Sequence, residues 1–460
     1  MNTSLAHEPL VFVDLETTGA NFANDRIIEV GIVQVDQDGV REWSSLVNPE
    51  TSISPFITGL TGITSGMVAT APRFEQLLPL IIEKLKGRLF IAHNARFDYS
   101  FLKREFARLG VQFRAPNLCT VKLSRKLFPV HHRHSLDALV TRYAIQVNDR
   151  HRALADAQIL WELWQRWFTI LPSETIIEAI NTIVGRPVLP ERIDANLIDD
   201  LPEAPGAYAM LGKEGELLLV KRSANIRQQV LAHFSPANRD TALARNTWHI
   251  EWRETAGEFG ARLAELELSS SRRKPLDELC SWQLVQGGEG DFRPELVFNK
   301  NLDFSNTPDL FGLFMNKREA LQSLRKIVEV HHLCLNLTGF GIGKSDEACV
   351  GFKQKTCRGA CAGKESVSMH SARLMAALAK LKLSPFPHPG PVALVERDEF
   401  GMREDFHLLD HWRYLGTVQN EAGLHELLDT RKHADFDPEI YRIVTRFLKA
   451  GKVRVLPVNQ

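Results

Sequence analysis

At 460 residues the chain is too long for one ordinary hydrophobic core, and the soft expectation is about three domains. Its 56 Lys and Arg balance 56 Asp and Glu, so the molecule as a whole has no excess of positive charge for a polyanion, and any nucleic-acid contact must come from local basic patches. A hydrophobic content of 44% with 24% charged residues suits a globular protein, and no stretch reaches the length needed to span a bilayer as a helix.

The first residues, Met1-Asn2-Thr3-Ser4-Leu5-Ala6-His7-Glu8-Pro9, carry neither the basic start nor the apolar centre of a secretory leader, and the expected location is the cytoplasm. Leu10-Val11-Phe12-Val13-Asp14-Leu15-Glu16 then runs as an apolar strand into two carboxylates, and Thr17-Thr18-Gly19 ends it as a turn. Side chains at i and i+2 of a strand share a face, so Asp14 and Glu16 point into the same space. Two like charges held that close repel unless a cation lies between them, and hard carboxylate oxygens suit Mg²⁺ or Mn²⁺. Spacing alone leaves a solvated strand end as the alternative.

Residues 26–35 and 42–47 read as further strands about the turn Asp36-Gln37-Asp38-Gly39, an antiparallel start to a mixed sheet. Leu77, Leu78, Ile81, Ile82 and Leu85 recur at helical spacing over 74–85, and Leu89-Phe90-Ile91-Ala92 is a short buried strand. It delivers His93-Asn94-Ala95-Arg96-Phe97-Asp98 to a helix over 99–109, with Asp98 in the first turn and Asn94 as a candidate cap. Lys122, Arg125, Lys126, His131, His132, Arg133 and His134 come with few acids between them, as a solvated face or as a track for phosphates. His151-Arg152-Ala153-Leu154-Ala155-Asp156-Ala157 leads a helix through Leu160, Leu163, Trp164 and Trp167. Asp156 lies on that helix, and His151 hangs from the approach to it.

Asp14-x-Glu16 with Thr-Thr-Gly, His93-Asn94-x-x-Phe97-Asp98 and His151-x-Ala-Leu-x-Asp156-Ala, in this order, resemble the three motifs of the DEDDh 3′→5′ exonucleases, the family of the proofreading subunit of bacterial replicative DNA polymerase. The resemblance covers the first domain and implies a ribonuclease-H-like mixed sheet with flanking helices. It also implies that Asp14, Glu16, Asp98 and Asp156 hold two Mg²⁺ or Mn²⁺ ions about 4 Å apart, one activating the attacking water and one stabilising the leaving 3′ oxygen. His151 would take the water's proton as general base, and the product would be a nucleoside 5′-monophosphate. An exposed helix-capping role is the other reading of His151, and His93 and Asn94 are expected to be structural.

Residues 173–184 read as a helix that Gly185-Arg186-Pro187-Val188-Leu189-Pro190 breaks, marking a domain boundary. Beyond it, residues 201–211 and 216–222 make two strands about the turn Gly212-Lys213-Glu214-Gly215, and a helix over 225–233 follows. Pro205-Gly206-Ala207-Tyr208, Ser223-Ala224-Asn225-Ile226-Arg227 and the approach Thr255-Ala256-Gly257-Glu258-Phe259-Gly260-Ala261 to Glu265 resemble the GIY-YIG endonuclease domain of the excision-repair incision subunit and of its shorter Cho-type homologue. Tyr208 and the metal-binding Glu265 are the residues the resemblance implies for this second site. The chain departs from the family at Leu219, Val220 and Lys221, where a second Tyr, then Ile or Val, then Gly are usual, and at Gln229, where a helix Arg is usual. Leu219 has no group that relays a proton, Gln229 cannot clamp a phosphate as a guanidinium does, and Arg227 lies about 200° around the helix from it. The expectation is a degenerate nuclease kept as a docking or DNA-contact module, with a purely structural spacer as the alternative.

Cys334, Cys349, Cys357 and Cys361 follow a helix over 317–330, and four of the six cysteines in so short a span suggest a metal before a disulfide. Four thiolates can hold a [4Fe–4S] cluster or a structural zinc, or stand unliganded, and the C-x2-C knuckles usual for zinc are missing. The stretch from Cys349 to Glu365 again resembles the Cho-type and incision proteins, whose matching cysteines are associated with an iron–sulfur cluster. Cys119 and Cys280 read as core residues. Lys353, Lys355, Arg358 and Lys364 make a phosphate-contacting edge or a solvated surface.

The expected division is a DEDDh exonuclease domain over 8–170, a linker over 171–200, a degenerate GIY-YIG-like α+β domain over 201–285 and a mainly helical Cys-containing region over 286–460, a multidomain chain of α/β and α+β class. The expected function is a metal-dependent 3′→5′ exonuclease acting on DNA in repair or replication. A dual nuclease that also incises damaged DNA through Tyr208 and Glu265, and a non-catalytic repair scaffold, are the alternatives. Expected partners are DNA with single-stranded or damaged 3′ ends and a polymerase or repair protein, with no membrane.

Overall fold

In the computed structural model the described residues are 9–147, 150–185, 189–194, 196–270, 276–341, 348–430 and 434–458. Residues 1–8, read above for a leader, and 186–188, within the expected helix break, lie outside them. The chain forms two compact units, the first running to Ser269 and taking in Arg397–Asp405, the second holding the rest.

In the first unit, β1 (Leu10–Thr17), β2 (Ile27–Asp36), β3 (Gly39–Leu46), β4 (Leu89–Ala92) and β5 (Asn117–Cys119) form one sheet in the order β3-β2-β1-β4-β5. β2 pairs antiparallel with β1 and β3, while β4 runs parallel to β1 and β5. Both faces of β1 are covered, which is why its sequence is a continuous apolar run and not an alternation. Val11, Val13 and Leu15 enter one core with Phe90, Phe101 and Phe106, on the side of the helices Phe74–Leu85 and Arg96–Arg108. Leu10 and Phe12 enter the other with Trp164 and Trp167 of the helix Ala153–Ile170. The two-residue period of the strand therefore turns Asp14 and Glu16 toward the side that the helix Ala153–Ile170 covers.

That helix begins against the sheet. Gly31 of β2 is paired with Asp14, and a Cβ on it would lie 2.1 Å from the Ala153 carbonyl carbon, so a side chain here would push the helix start away. The neighbouring Glu29, buried, accepts the Ala153 N–H at 2.9 Å and the Arg152 guanidinium at 2.6 Å. A carboxylate thus satisfies a free N–H at the positive end of the helix dipole and holds the chain just before it.

Also in this unit, β6 (Gly206–Leu211), β7 (Leu217–Ser223) and β8 (His249–Glu254) form an antiparallel sheet in the order β7-β6-β8. The helices Ile226–Ala232 and Glu258–Leu268 pack on it, and Tyr208, Met210, Val230, Phe234 and Ile250 share its core.

The second unit contains β9 (Cys280–Gly288), β10 (Asp291–Phe298) and β11 (Leu310–Phe314) in the order β10-β9-β11, with the helices Lys317–Val330 and Val367–Leu378. β12 (Val392–Arg397), β13 (Glu404–Asp410), β14 (Arg413–Val418) and β15 (Arg454–Pro457) follow in the order β14-β13-β12-β15, with the helices Glu421–Thr430 and Pro438–Ala450. The C-terminal region is thus richer in sheet than the mainly helical expectation. β13 shows why: its apolar residues are only Phe406, Leu408 and Leu409, and Asp405 and His407 are buried beside them, so composition does not announce a buried strand. No helix among the described residues is long and apolar enough to cross a membrane.

Candidate active site

Three elements distant in sequence bring four acids together. β1 supplies Asp14 and Glu16, the first turn of Arg96–Arg108 supplies Asp98, and the first turn of Ala153–Ile170 supplies Asp156. Carboxylate oxygens of Asp14, Glu16 and Asp156 lie within 4.8 Å of one another. β4 pairs with β1 only as far as Phe12, and Asp98 accepts the Leu15 N–H beyond that point at 3.1 Å. Asp98 therefore stands where a strand partner would otherwise be needed.

Crowding and burial raise all four carboxyls. Asp14 is pushed well above the ordinary range by burial, then by Asp98, Asp156 and Glu16. Glu16 rises to about 8, by burial first and then by Asp156, Glu29 and Asp98. Burial likewise raises Asp98 against its backbone hydrogen bonds, and raises Asp156 against the pull of Arg150. An all-oxygen set that retains protons for want of positive charge fits hard divalent cations of the Mg²⁺ or Mn²⁺ type.

Arg150 is the functional neighbour that the motifs do not announce. Its guanidinium is ion-paired with Asp156 and also with Asp137 at 2.6 Å, so it already supplies positive charge at the mouth of the cluster. The available signal was a cation directly beside His151, a place that Arg152 on its other side shares while pairing with Glu29. His151 itself sits in the approach loop at φ 61°, a left-handed conformation uncommon for a residue with a side chain. It adjoins Arg150, whose guanidinium is ion-paired with Asp156, so the loop carries the imidazole beside the cluster.

His93 Nδ1 lies 2.9 Å from Thr120 Oγ1, and burial followed by the Arg150 charge lowers its pKa to about 4, so it is neutral near pH 7. The expected Asn94 cap is not made. The helix begins at Arg96 after Ala95 with no side-chain cap bond, and Asn94 instead turns the chain at φ 62°, a conformation Asn tolerates well. Of the basic stretch, His134 is buried between Ser124 Oγ and the His131 carbonyl, each at 2.8 Å, and Lys122 is paired with Glu203. Arg125, Lys126, His131, His132 and Arg133 are exposed.

In the small half, Tyr208 is fully buried, its hydroxyl 2.8 Å from His233 Nε2, and burial pushes it up to about 12. Glu265 is ion-paired to Arg222 of β7 at 2.6 Å, so its charge is already answered by the chain. Leu219 packs against the same core as Tyr208.

The four cysteines of the second unit come together as free thiols. Sulfurs of Cys334, Cys349 and Cys361 lie within 4.8 Å of one another, and Cys349 Sγ is 3.5 Å from Cys357 Sγ and 3.9 Å from Cys334 Sγ. Burial raises Cys357 to about 12 and Cys361 to about 11. Cys349 falls to about 7, since hydrogen bonds from the Phe352 N–H and the neighbouring thiols outweigh its burial. Buried sulfurs in van der Waals contact, one of them poised to ionise, fit a thiophilic metal centre. Lys353, Lys355, Arg358 and Lys364 beside them are exposed, while Cys119 and Cys280 lie in cores elsewhere.

Comparison with known proteins adds the following. Residues 11–164 match the Exonuclease family, residues 279–380 the UvrC/Cho excinuclease middle domain, and residues 391–460 the Excinuclease Cho C-terminal domain. The chain is 34% identical to the excinuclease Cho of Shigella flexneri over 278 residues, 59% of this chain and 90% of that protein. It is 32% identical over 287 residues to a putative bifunctional exonuclease/endonuclease of Mycobacterium tuberculosis, 59% of this chain and 44% of that one. Among solved structures, exonuclease X in complex with 5′ overhanging duplex DNA is 28% identical, with a TM-score of 0.30, over 37% of this chain and 99% of that one.

Proposed function

Because this chain belongs to the Cho excinuclease family and also carries an exonuclease domain, we propose that it is a DNA-repair nuclease that trims 3′ ends, with a second nuclease-like half that binds without cutting. What carries the reading is the convergence of Asp14, Glu16, Asp98 and Asp156, from three separate elements, with His151 beside them. The division into an exonuclease domain over 8–170, a linker over 171–200, a degenerate domain over 201–285 and a Cys-bearing region over 286–460 goes with it.

Asp14, Glu16, Asp98 and Asp156 are the residues that would hold two divalent ions, which when bound supply charge for the attacking water and for the leaving 3′ oxygen. His151 takes the proton of the attacking water at an imidazole nitrogen, from a loop that the Arg152–Glu29 pair anchors to the sheet. The helix Ala153–Ile170 shields the acids from bulk water on one side, and Asp98 keeps its place through the Leu15 N–H. The reading of the small half as non-cutting rests on its missing groups and on the engagement of those that remain. Leu219 and Gln229 lack the chemistry of Tyr and Arg, Tyr208 is buried against His233, and Glu265 is tied to Arg222. Cys334, Cys349, Cys357 and Cys361 hold a metal centre in this reading, an iron–sulfur cluster by the family likeness. A broad absorbance near 400 nm after anaerobic purification supports the cluster, and a colourless protein carrying zinc refutes it.

The test of the whole is purified protein with Mg²⁺ and a 3′-labelled strand. Release of mononucleotides that vanishes in Asp14→Ala supports the exonuclease. Internal nicking that survives Asp14→Ala and vanishes in Glu265→Gln would favour the dual nuclease, and no cleavage by folded protein would favour a scaffold.

A further inference from the structure

Within the first unit, a groove of about 800 Å³ lies between the exonuclease sheet and the small antiparallel sheet. Lys103 and Arg104, on the outer face of the helix Arg96–Arg108, line it together with Lys122 and Arg125, and the small half contributes Arg227 and Trp252. His93 and Asn94 also line it, so the groove reaches the turn that leads into Asp98. Arg104 and Arg125 are exposed and make no ion pair among the described residues.

Part of this positive charge is answered by the chain itself. Arg114 grips Asp200 with two nitrogens, at 2.6 and 3.0 Å, Lys103 lies 3.5 Å from the same carboxylate, and Lys122 is paired with Glu203. Arg227 donates to the Ile198 carbonyl at 2.5 Å. An acidic segment, 198–203, is therefore laid along cations of the exonuclease wall as a row of phosphates would be. A basic channel with an aromatic side chain in its wall is the usual seat of a single strand, whose backbone follows the charge and whose bases stack on the ring.

We infer that this groove holds the single-stranded stretch behind the 3′ end, gripped on one side by Arg104 and Arg125 and on the other by Trp252, and that the Asp200 and Glu203 carboxylates are an internal polyanion mimic whose cations the strand's phosphates take over. The inference rests on the reading of the small half as a binding module and gives that module its ligand and its site. Charge complementarity and continuity with the turn before Asp98 favour nucleic acid over an acidic peptide.

Full-length protein in EDTA, titrated into a 5′-labelled oligothymidine and followed by fluorescence anisotropy, tests it. R104E/R125E should weaken binding by about tenfold or more and lower the slope of log affinity against log salt by about 1.4, two phosphate contacts on a single strand. Trp252→Ala should weaken it by about fivefold or more, with Trp252→Phe restoring most of the loss. D200N/E203Q should tighten binding, a gain that a folding defect cannot produce. Unchanged affinity and salt slope in R104E/R125E would overturn the inference, as would tighter binding of polyglutamate than of the oligonucleotide. Mononucleotide release with Mg²⁺, measured alongside, keeps the two readings apart. Release by the wild type together with unaltered binding in the variants overturns the groove alone, whereas absence of release overturns the exonuclease and leaves the anisotropy to decide the groove.

Discussion

Glu16→Gln probes the carboxylate cluster most directly, because its effect reverses with the presence of divalent ions. Burial, and then the charges of Asp156, Glu29 and Asp98, raise Glu16 from 4.5 to about 8 in the folded chain. A carboxyl that holds its proton more tightly folded than unfolded favours folding below 4.5, and that contribution is lost as the pH rises through about 8. At about 1.4 kcal/mol per tenfold, the whole span amounts to at most about 5 kcal/mol. Gln has no proton to lose, so the ion-free Glu16→Gln protein should match wild type near pH 4.5 and exceed it by several kcal/mol near pH 8. Hydrogen-exchange protection of the amides in the helix Ala153–Ile170, in EDTA and corrected for the intrinsic exchange rate, reads this locally in a chain of several domains. Added Mg²⁺ should invert the ranking, since wild type then gains the binding energy that Gln cannot provide. Parallel pH curves for the two proteins would refute the argument that mutual repulsion shapes this site.

Arg150→Ala should raise Mn²⁺ affinity by about tenfold in calorimetry, because the guanidinium now sharing Asp156 no longer competes, and weaker binding would show that it helps to build the site. His151→Gln should slow mononucleotide release by about 10²–10⁴ while leaving ion affinity unchanged, and a parallel loss of both would make His151 a structural residue. Gly31→Ala should destabilise the exonuclease domain by several kcal/mol, read by urea unfolding, since its Cβ would meet the Ala153 backbone at 2.1 Å, and a neutral result would mean that the helix start can yield. Cys349→Ser should abolish the metal content proposed for the second unit, measured by elemental analysis against wild type, and leave release from a 3′-labelled strand intact.

Much of the fold is legible because its signals are local. The helices Phe74–Leu85 and Lys317–Val330 and the strand Leu89–Ala92 fall where periodicity and short apolar runs put them. The side of β1 on which Asp14 and Glu16 lie follows from strand parity once both cores are known. What sequence could not yield are pairings across long stretches of chain. Glu29 reaches Arg152 over 123 residues, Arg114 reaches Asp200 over 86, and neither has a spacing that any motif records. Arg222 over Glu265 is of the same kind: a cation answering an acid in space leaves no periodicity behind. The sheet of β12–β15 escaped for a different reason, the buried Asp405 and His407 leaving β13 poor in apolar residues.

The double burial of β1 has an evolutionary corollary. Deleting one residue ahead of Asp14 would swap every following side chain between the two cores, so packing and chemistry would fail in a single step. Gln229, by contrast, is only half-buried and lies outside the core that Tyr208, Val230 and Phe234 share, so it can change without loosening them. Such a position can change in the small half with its shape kept, whereas a register slip in the large half costs packing and site together.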